Sequence, residues 1–531
     1  MSQIHPVTLS PCHLVTLSLL SLAAGVISTC TVGPDYNRPN VAVPATYQST
    51  QPATAPARLG SDWWTLFNDP QLTALEEAAT KYNPDLQAAM QRVVQAREAA
   101  KAVKSQFYPT ITLNPSWTRT RAPIVSSSSG NGNASRGTTY NSYQVPFDLA
   151  YEIDVWGRIR RNYESAVASA QASANDYYLV MQTLQADVAQ TYFTLRSLDT
   201  QANILRDNVE LFKRQLHLTE VERAAGLAAM SDVLQVQTLL KTTLSQQVDI
   251  DRQRQDTQHA LAILTGRAPC ELVLPFNPLA DLPPIIPAGL PSELLSRRPD
   301  VAQAEQNLIA ANALVGVATA NFLPKFTINA TAGLQSASFD QLFQAQSRLL
   351  SLGPAASIPI FEGGQLTAQL AQAKASYLET YATYRSSVLS ALRDVEDALN
   401  DLHYYAKRAE AQQLAVDSAR ELVRLTKIER RQGGLISELQ LITADQTLLS
   451  NLLTANDIFT QRQISTVLLI KALGGGWEAD PATTQPRSPT GKGTVGRLTT
   501  LPAHSPPADP TTQPSTIPIF PPSPEATSQK E

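Results

Sequence analysis

Asn83-Pro84-Asp85 is followed by Gln106-Phe107-Tyr108-Pro109, and both return as Arg298-Pro299-Asp300 and Asn321-Phe322-Leu323-Pro324 at one constant offset. A second series repeats downstream. Gly157 answers to Gly364, Tyr177 to Tyr384, Asp187-Val188 to Asp394-Val395, Glu222-Arg223 to Glu429-Arg430, and Gly226 to Gly433. A period this long describes two large halves of one plan, not a stack of small solenoid units. Each half is dominated by stretches without Gly or Pro. Arg158 to Ala225 and Gln365 to Gln432 each run 68 residues, roughly 100 Å if helical. Gly226 and Gly433 break these runs, where a helix end favours a residue tolerant of positive φ. Leu227 to Thr265 and Leu435 to Leu473 follow with 39 residues each, again free of both, and Asp85 to Tyr108 and Asp300 to Leu323 have 24 each, where only Gly316 breaks the helical composition. The two shorter helices laid end to end come to roughly 95 Å, about the length of the long one. The sequence therefore predicts, in each half, one very long helix beside two shorter ones in line.

The long helix carries a packing seam. Tyr177, Met181, Leu184, Val188, Thr191, Leu195, Leu198, Ala202, Leu205, Val209, Phe212 and Leu216 alternate steps of four and three. That period of 3.5 marks a left-handed coiled coil. The second copy keeps it with smaller residues from Tyr384 to Val423, with Gln412 out of character. Between the helices the period changes. Tyr143, Val145, Phe147, Leu149, Tyr151 and Ile153 alternate with Gln144, Pro146, Asp148, Ala150, Glu152 and Asp154, a strand with one apolar and one polar face. Ile111, Leu113 and Trp117 form a partner strand, with the polar loop around residues 126–133 between them. The second half offers Phe326, Ile328, Ala330, Ala332 and Leu334, then a less regular stretch ending Ile358-Pro359-Ile360-Phe361. Each half thus holds a hairpin of about ten-residue strands, the length that crosses a bilayer when tilted. Aromatic residues near the strand ends fit a membrane-interface girdle. Four strands cannot close a barrel, and open edges are not tolerated in lipid, so a membrane-spanning reading requires several chains to share one barrel.

The N-terminus points to export. Leu14 to Ile27 is apolar, too short for a spanning helix and suited to a signal-peptide core. It ends Val26-Ile27-Ser28-Thr29-Cys30, which looks like a lipoprotein processing site, with the mature chain starting at a lipidated Cys30; the alternative is a plain secretory signal. Thr31 and Val32 lack the acidic residue that retains a lipoprotein in the inner membrane. Other chemistry is excluded or unsupported. His5, His13, His217, His259, His403 and His504 have no ligand spacing. Cys12, Cys30 and Cys270 form no disulfide framework. A net charge of −4 over 531 residues without a basic cluster argues against nucleic acid. No catalytic constellation, metal site or cofactor motif is present, so no enzyme is expected.

Several motifs, in order, resemble the TolC-like outer membrane factors, in the lipoprotein (OprM/NodT-like) branch of RND-type efflux systems. They are Cys30-Thr31-Val32-Gly33-Pro34-Asp35-Tyr36-Asn37-Arg38-Pro39; Trp63-Trp64 with Phe67 and Asp69-Pro70; Leu264 with Gly266; Pro291-Ser292 through Arg298-Pro299-Asp300 to Ala304-Glu305; and Phe361-Glu362-Gly363-Gly364. The resemblance implies an α+β membrane protein: a homotrimer whose four strands per chain make a twelve-stranded β-barrel that continues into an α-barrel of long coiled-coil helices. It implies a passive exit duct in the bacterial outer membrane, lipid-anchored and reaching into the periplasm. Its implied partners are outer membrane lipid, a periplasmic adaptor and an inner-membrane RND-type pump. The turns at Gly226 and Gly433 become periplasmic tips. Adaptor contacts are then expected around Glu222, Arg223, Ser231 and Asp232, and around Glu429, Arg430, Ser437 and Glu438. The family often has acidic gate residues just ahead of an Ala past the second tip. Here Ala444 is preceded by Thr443 and the earlier position is Gln440, so Asp232 and Glu438 are the nearest acidic substitutes. Asp148, Glu152 and Asp154 are expected to face the lumen.

The expected organisation is a signal peptide (1–29), an extended lipid-anchored lead (30–82), a first repeat (83–265), a Pro-rich equatorial linker (266–297), a second repeat (298–476) and a Pro/Thr-rich tail (477–531). The tail scatters twelve prolines among Thr, Ser and Gln and cannot bury enough apolar surface to order itself. The rival reading is a periplasmic coiled-coil adaptor or scaffold that never enters a membrane. The alternating hairpins separate the two, because a scaffold has no need of strands with a lipid-facing side.

Overall fold

The computed structural model describes residues 31–42, 44, 47, 60–121, 139–279, 282–286, 297–431 and 438–476. The signal segment, Cys30, the 126–133 loop, Gly433, Ser437, most of the linker beyond 286 and the tail lie outside the described residues.

Helices α1 (Pro70–Tyr82) and α2 (Pro84–Lys104) precede a strand lane made of β1 (Thr110–Leu113) and β2 (Ser116–Arg121). Strand β3 (Thr139–Ile153) then leads into α3 (Arg158–Ala224), and α4 (Met230–Leu264) returns. The second half repeats this order without a counterpart of α1: α5 (Pro299–Ala320), β4 (Lys325–Ser336), β5 (Arg348–Ser357), α6 (Gln365–Arg431) and α7 (Glu438–Ala472). The two long helices have 67 residues each, and the two return helices 35 each. Strand β5 ends at Ser357, so Ile358 to Phe361 fall outside it. Pro359 has no N–H to continue a ladder.

The repeated tripeptides have a structural use. Asn83 caps α2 by accepting from Leu86 N at 3.0 Å, and its Nδ2 donates 2.9 Å to the carbonyl of Leu264, at the end of α4. Arg298 plays the matching role, donating 3.2 Å to the carbonyl of Ala472, at the end of α7. It also forks to Asp300 at 2.7 Å and Asp394 at 3.0 Å. Both in-line helix pairs are therefore stitched end to end by the residue before the repeated proline, which satisfies carbonyls a helix end leaves open.

Most of the predicted seam is buried, while Tyr177, Met181, Thr191, Leu216, Leu402, Tyr405 and Ala409 are half-buried. Leu184, Val188, Leu195, Leu198, Ala202, Leu205, Val209 and Phe212 are buried on α3, and Tyr384, Val388, Ala391, Val395, Ala398, Val416, Ala419 and Val423 on α6. Gln412 is satisfied by Asn451 on α7, donating 2.9 Å to its side chain and 3.0 Å to its carbonyl. At mid-bundle the linker crosses α3. Arg196 and Asp199 are fully buried and paired at 2.7 Å, and Arg254 reaches Asp199 at 2.6 Å. The two arginines donate to the carbonyls of Pro275 and Leu274 at 2.8 and 3.1 Å. Leu272, Leu274 and Leu279 pack into the core around Trp63, Tyr192 and Leu195.

Strands β1 and β2 keep one register against β3, so they are a single lane interrupted at Asn114-Pro115. β3 pairs with β4 and β4 with β5, all antiparallel. Among the described residues the sheet thus has four lanes, with the β1/β2 lane at one edge and β5 at the other.

Candidate functional site

The register fixes two sheet faces. Ile111, Leu113, Trp117, Tyr143, Val145, Phe147, Leu149, Tyr151, Ile328, Leu334, Leu350 and Leu352 share one. Thr112, Asn114, Thr118, Gln144, Asp148, Thr327, Asn329, Thr331, Gln335 and Ser351 share the other. On the apolar face Leu350 and Leu352 are 83% and 73% exposed in the single chain, a greasy surface that water does not favour. Trp117 stacks on Tyr143 at 6.2 Å, and Phe339 adds to Tyr143 at 5.9 Å, giving an aromatic group at the sheet end away from the helices. Among the described residues no helix is long and apolar enough to cross a membrane.

The predicted polar-face acids are placed differently from one another. Asp148 sits mid-strand, accepting 3.0 Å from Asn114 Nδ2 and 2.8 Å from Thr331 Oγ1. Glu152 is held at the base of the sheet by a two-pronged pair with Arg158, at 3.0 and 2.8 Å. Asp154 lies past the strand and starts α3, accepting from the N–H groups of Ile159 and Arg160 at 3.0 and 2.9 Å. Alternation alone could not show that the chain turns there and brings Arg158 and Arg160 back onto these carboxylates.

At the opposite end the two halves meet. Arg430 of α6 grips Glu222 of α3 with bonds of 2.6 and 2.8 Å, both side chains partly exposed. Gly226 takes φ 76° at the turn, and Leu227 N closes on the Glu222 carbonyl at 2.8 Å, a C-terminal cap that only a left-handed residue completes. Arg223 contacts Met230 across this turn. Asp232 reaches back to Ala229 N at 3.0 Å and so starts α4. Ser231 and Glu429 are exposed, as are Gln440 and Thr443 on α7. Glu438 opens α7.

One acid at this end escaped the sequence reading. Asp445, just after Ala444, is 2% exposed and lies 3.5 Å from Lys427. Desolvation pushes its carboxyl above the usual range, and Lys427 pulls the other way. It sits on the buried stripe with Leu441, Ile442, Ala444 and Leu449. A charge on that stripe was the available signal.

The N-terminal lead docks beside the sheet. Val32 N donates 3.0 Å to the Trp156 carbonyl, at the strand–helix junction. Asn312 donates 3.0 Å to the Pro34 carbonyl, and Arg161 meets Asp35 at 2.6 Å. Gly33, at φ 104°, lies against Gly316 so closely that a Cβ would stand 2.4 Å from its Cα. Further along, Arg38 pairs with Glu305 at 3.0 Å, and Tyr47 enters the core near Val395 and Leu469. The lead therefore runs from the sheet end toward mid-bundle.

A sheet with one greasy and one polar face, set on long paired helices, defines an outer membrane channel subunit. The chain belongs to the outer membrane efflux protein family, whose model matches residues 75–267 and 290–475. It is 34% identical over 475 residues to the pyoverdine export outer membrane protein OpmQ of Pseudomonas putida, covering 88% of this chain and 98% of that one. It is 33% identical to the toluene efflux pump outer membrane protein TtgI of the same species, covering 87% and 98%. Among solved structures, the outer-membrane channel OprN matches with TM-score 0.78 and 31% identity, covering 84% of this chain and all of that one. The Campylobacter jejuni CmeC outer membrane channel matches with TM-score 0.78 and 25% identity, covering 85% and 96%. The protein is an outer membrane efflux channel of the TolC-like fold, and the scaffold reading is set aside.

Proposed function

We propose that three copies of this chain form one duct, closing a twelve-stranded barrel in the outer membrane and a helical tunnel in the periplasm. The observation that carries this is the pair of sheet edges, β1/β2 and β5, that have no further strand partner among the described residues, on a four-lane sheet with one apolar side. Such edges need partners in lipid. The polar face with Asp148 then lines the lumen, and Glu152 and Asp154 brace its lower rim. The duct is passive: an inner-membrane RND-type pump supplies the energy and a periplasmic adaptor docks at the tips. Glu222, Arg223, Gly226, Ser231 and Asp232, with Glu429, Arg430, Gly433, Ser437 and Glu438, form the docking and gating end. Opening separates α3 from α6 there and breaks the Glu222–Arg430 pair. A gonococcal relative, the MtrE channel (TM-score 0.73, 27% identity, covering 85% of this chain and 99% of that one), has been captured in an open state.

Cys30 is proposed as the site of a covalent lipid. Support comes from Val32, tied at 3.0 Å to Trp156 where the strands end, a height that in the proposed duct lies near the periplasmic face of the outer membrane. Photocrosslinkers placed at Ser231 and, as control, at mid-bundle Gln190 test the assembly in cells. Adaptor adducts from Ser231 alone support it; equal adducts from both positions, or none from Ser231, refute tip docking.

A further inference from the structure

The polar sheet face is built mainly from hydroxyl, amide and small side chains. Along its middle the one charged side chain among the described residues is Asp148. Its oxygens accept 3.0 Å from Asn114 and 2.8 Å from Thr331, both neutral. Asn114 is itself steadied by Thr112, at 3.2 Å. No ion pair reaches Asp148 among the described residues, whereas Glu152 near the base is neutralised by Arg158 at 2.8 Å. The carboxylate is thus held in place without being cancelled.

We propose that Asp148 sets the ionic preference of the duct, favouring cationic over anionic solutes. This rests on the trimeric duct proposed above. Twelve strands at about 4.8 Å spacing and about 40° tilt give a backbone cylinder on the order of 24 Å across. Three-fold symmetry puts three Asp148 carboxylates at one height on its inner wall. At 0.1 M salt the screening length of about 10 Å is comparable with the lumen radius, so the ring's field spans the opening. Rings of Asp or Glu select cations in other pores by the same physics. Hydrogen bonds to Asn114 and Thr331 keep each carboxylate from swinging onto a distant cation, so the negative potential stays in the lumen.

Purified full-length protein in planar bilayers under a KCl gradient tests this. The wild type should pass K⁺ over Cl⁻, and Asp148→Asn should lower that permeability ratio at least twofold near 0.1 M salt. The difference should shrink at 1 M, where the screening length is about 3 Å. Thr112→Lys leaves Asp148 in place and sets an ammonium on the directly paired position; it should lower the ratio too, and it decides the matter should Asp148→Asn fail to assemble. Conducting channels whose ratio is unmoved by either variant overturn the assignment while leaving the duct intact. A wild-type protein that never conducts overturns the duct and this inference with it.

Discussion

Breaking the clasp between the two halves at the tip should open the channel. Glu222 and Arg430 make a two-pronged charge-assisted pair at 2.6 and 2.8 Å, with side chains 29% and 20% exposed. An exposed ion pair contributes about 0–1 kcal/mol, and hydrogen bonds to charged groups about 1.5–3 kcal/mol. Screening at this partly exposed site argues for about 1 kcal/mol per subunit. Glu222→Gln should therefore shift the local equilibrium about fivefold in each subunit, because 1.4 kcal/mol is a factor of ten. If three subunits open together, about 3 kcal/mol, or on the order of a hundredfold in open probability, is at stake. The assay is single-channel recording in planar bilayers. Glu222→Gln and Arg430→Gln should each raise open probability, and the charge swap Glu222→Arg with Arg430→Glu should restore closure. Single variants indistinguishable from wild type, or a swap no better than either single reversal, would refute the clasp.

Glu76 on α1 is fully buried, and its carboxyl oxygens have no hydrogen-bond partner. Desolvation raises its pKa well above the ordinary value, so its contribution is fully present below the unfolded carboxyl range and fades as pH rises toward the raised folded value. Glu76→Leu should therefore stabilise the protein at pH 8 by about 1–3 kcal/mol and flatten the dependence of melting temperature on pH; an unchanged pH slope would count against it. Arg298 holds the α5–α7 junction through Asp300, Asp394 and the Ala472 carbonyl. Arg298→Ala should cost about 1–3 kcal/mol, read as a lowered melting temperature, because it removes a charge-assisted donor from the Ala472 carbonyl and from Asp300 and Asp394, which keep only Val301 N and Arg393 among the described residues. Lys should rescue little of it, since an ammonium cannot reproduce the fork.

Much of the architecture could be read from local rules. Runs free of Gly and Pro marked the four principal helices because nothing in them interrupts a backbone ladder. The seam residues followed from one period and the strand faces from another. Both return helices begin three residues later than their composition allowed; in the first half this is because Gly226 must cap and reverse the long helix before α4 can start. Side-chain commitments at element ends were hidden. Glu152 and Asp154 are claimed by Arg158 and Arg160, each six residues downstream and brought back only by a turn. Gln412 looked misplaced until Asn451 of another helix came alongside. Asp445 and Glu76 were overlooked because burial of an acid within an apolar stripe depends on which neighbouring helix covers it. The tip pair was visible only as two separate repeats of Glu-Arg; its cross-half pairing of Glu222 with Arg430 required the fold.

The shared barrel can be tested by disulfide trapping between its edges. In one chain the β1/β2 lane and β5 are separated by two intervening strands, a span of about 14 Å at about 4.8 Å per strand, beyond the reach of a disulfide, whose Cα atoms lie within about 7 Å. Any bond between them must join two molecules. With Cys270 replaced by Ser, Thr112→Cys combined in turn with Cys at Leu349, Ser351 or Gly353 should yield, for the pair in register, an outer-membrane ladder of dimer and trimer with nothing larger. Monomer alone for every pair, under conditions that oxidise a control cysteine pair, would contradict the account.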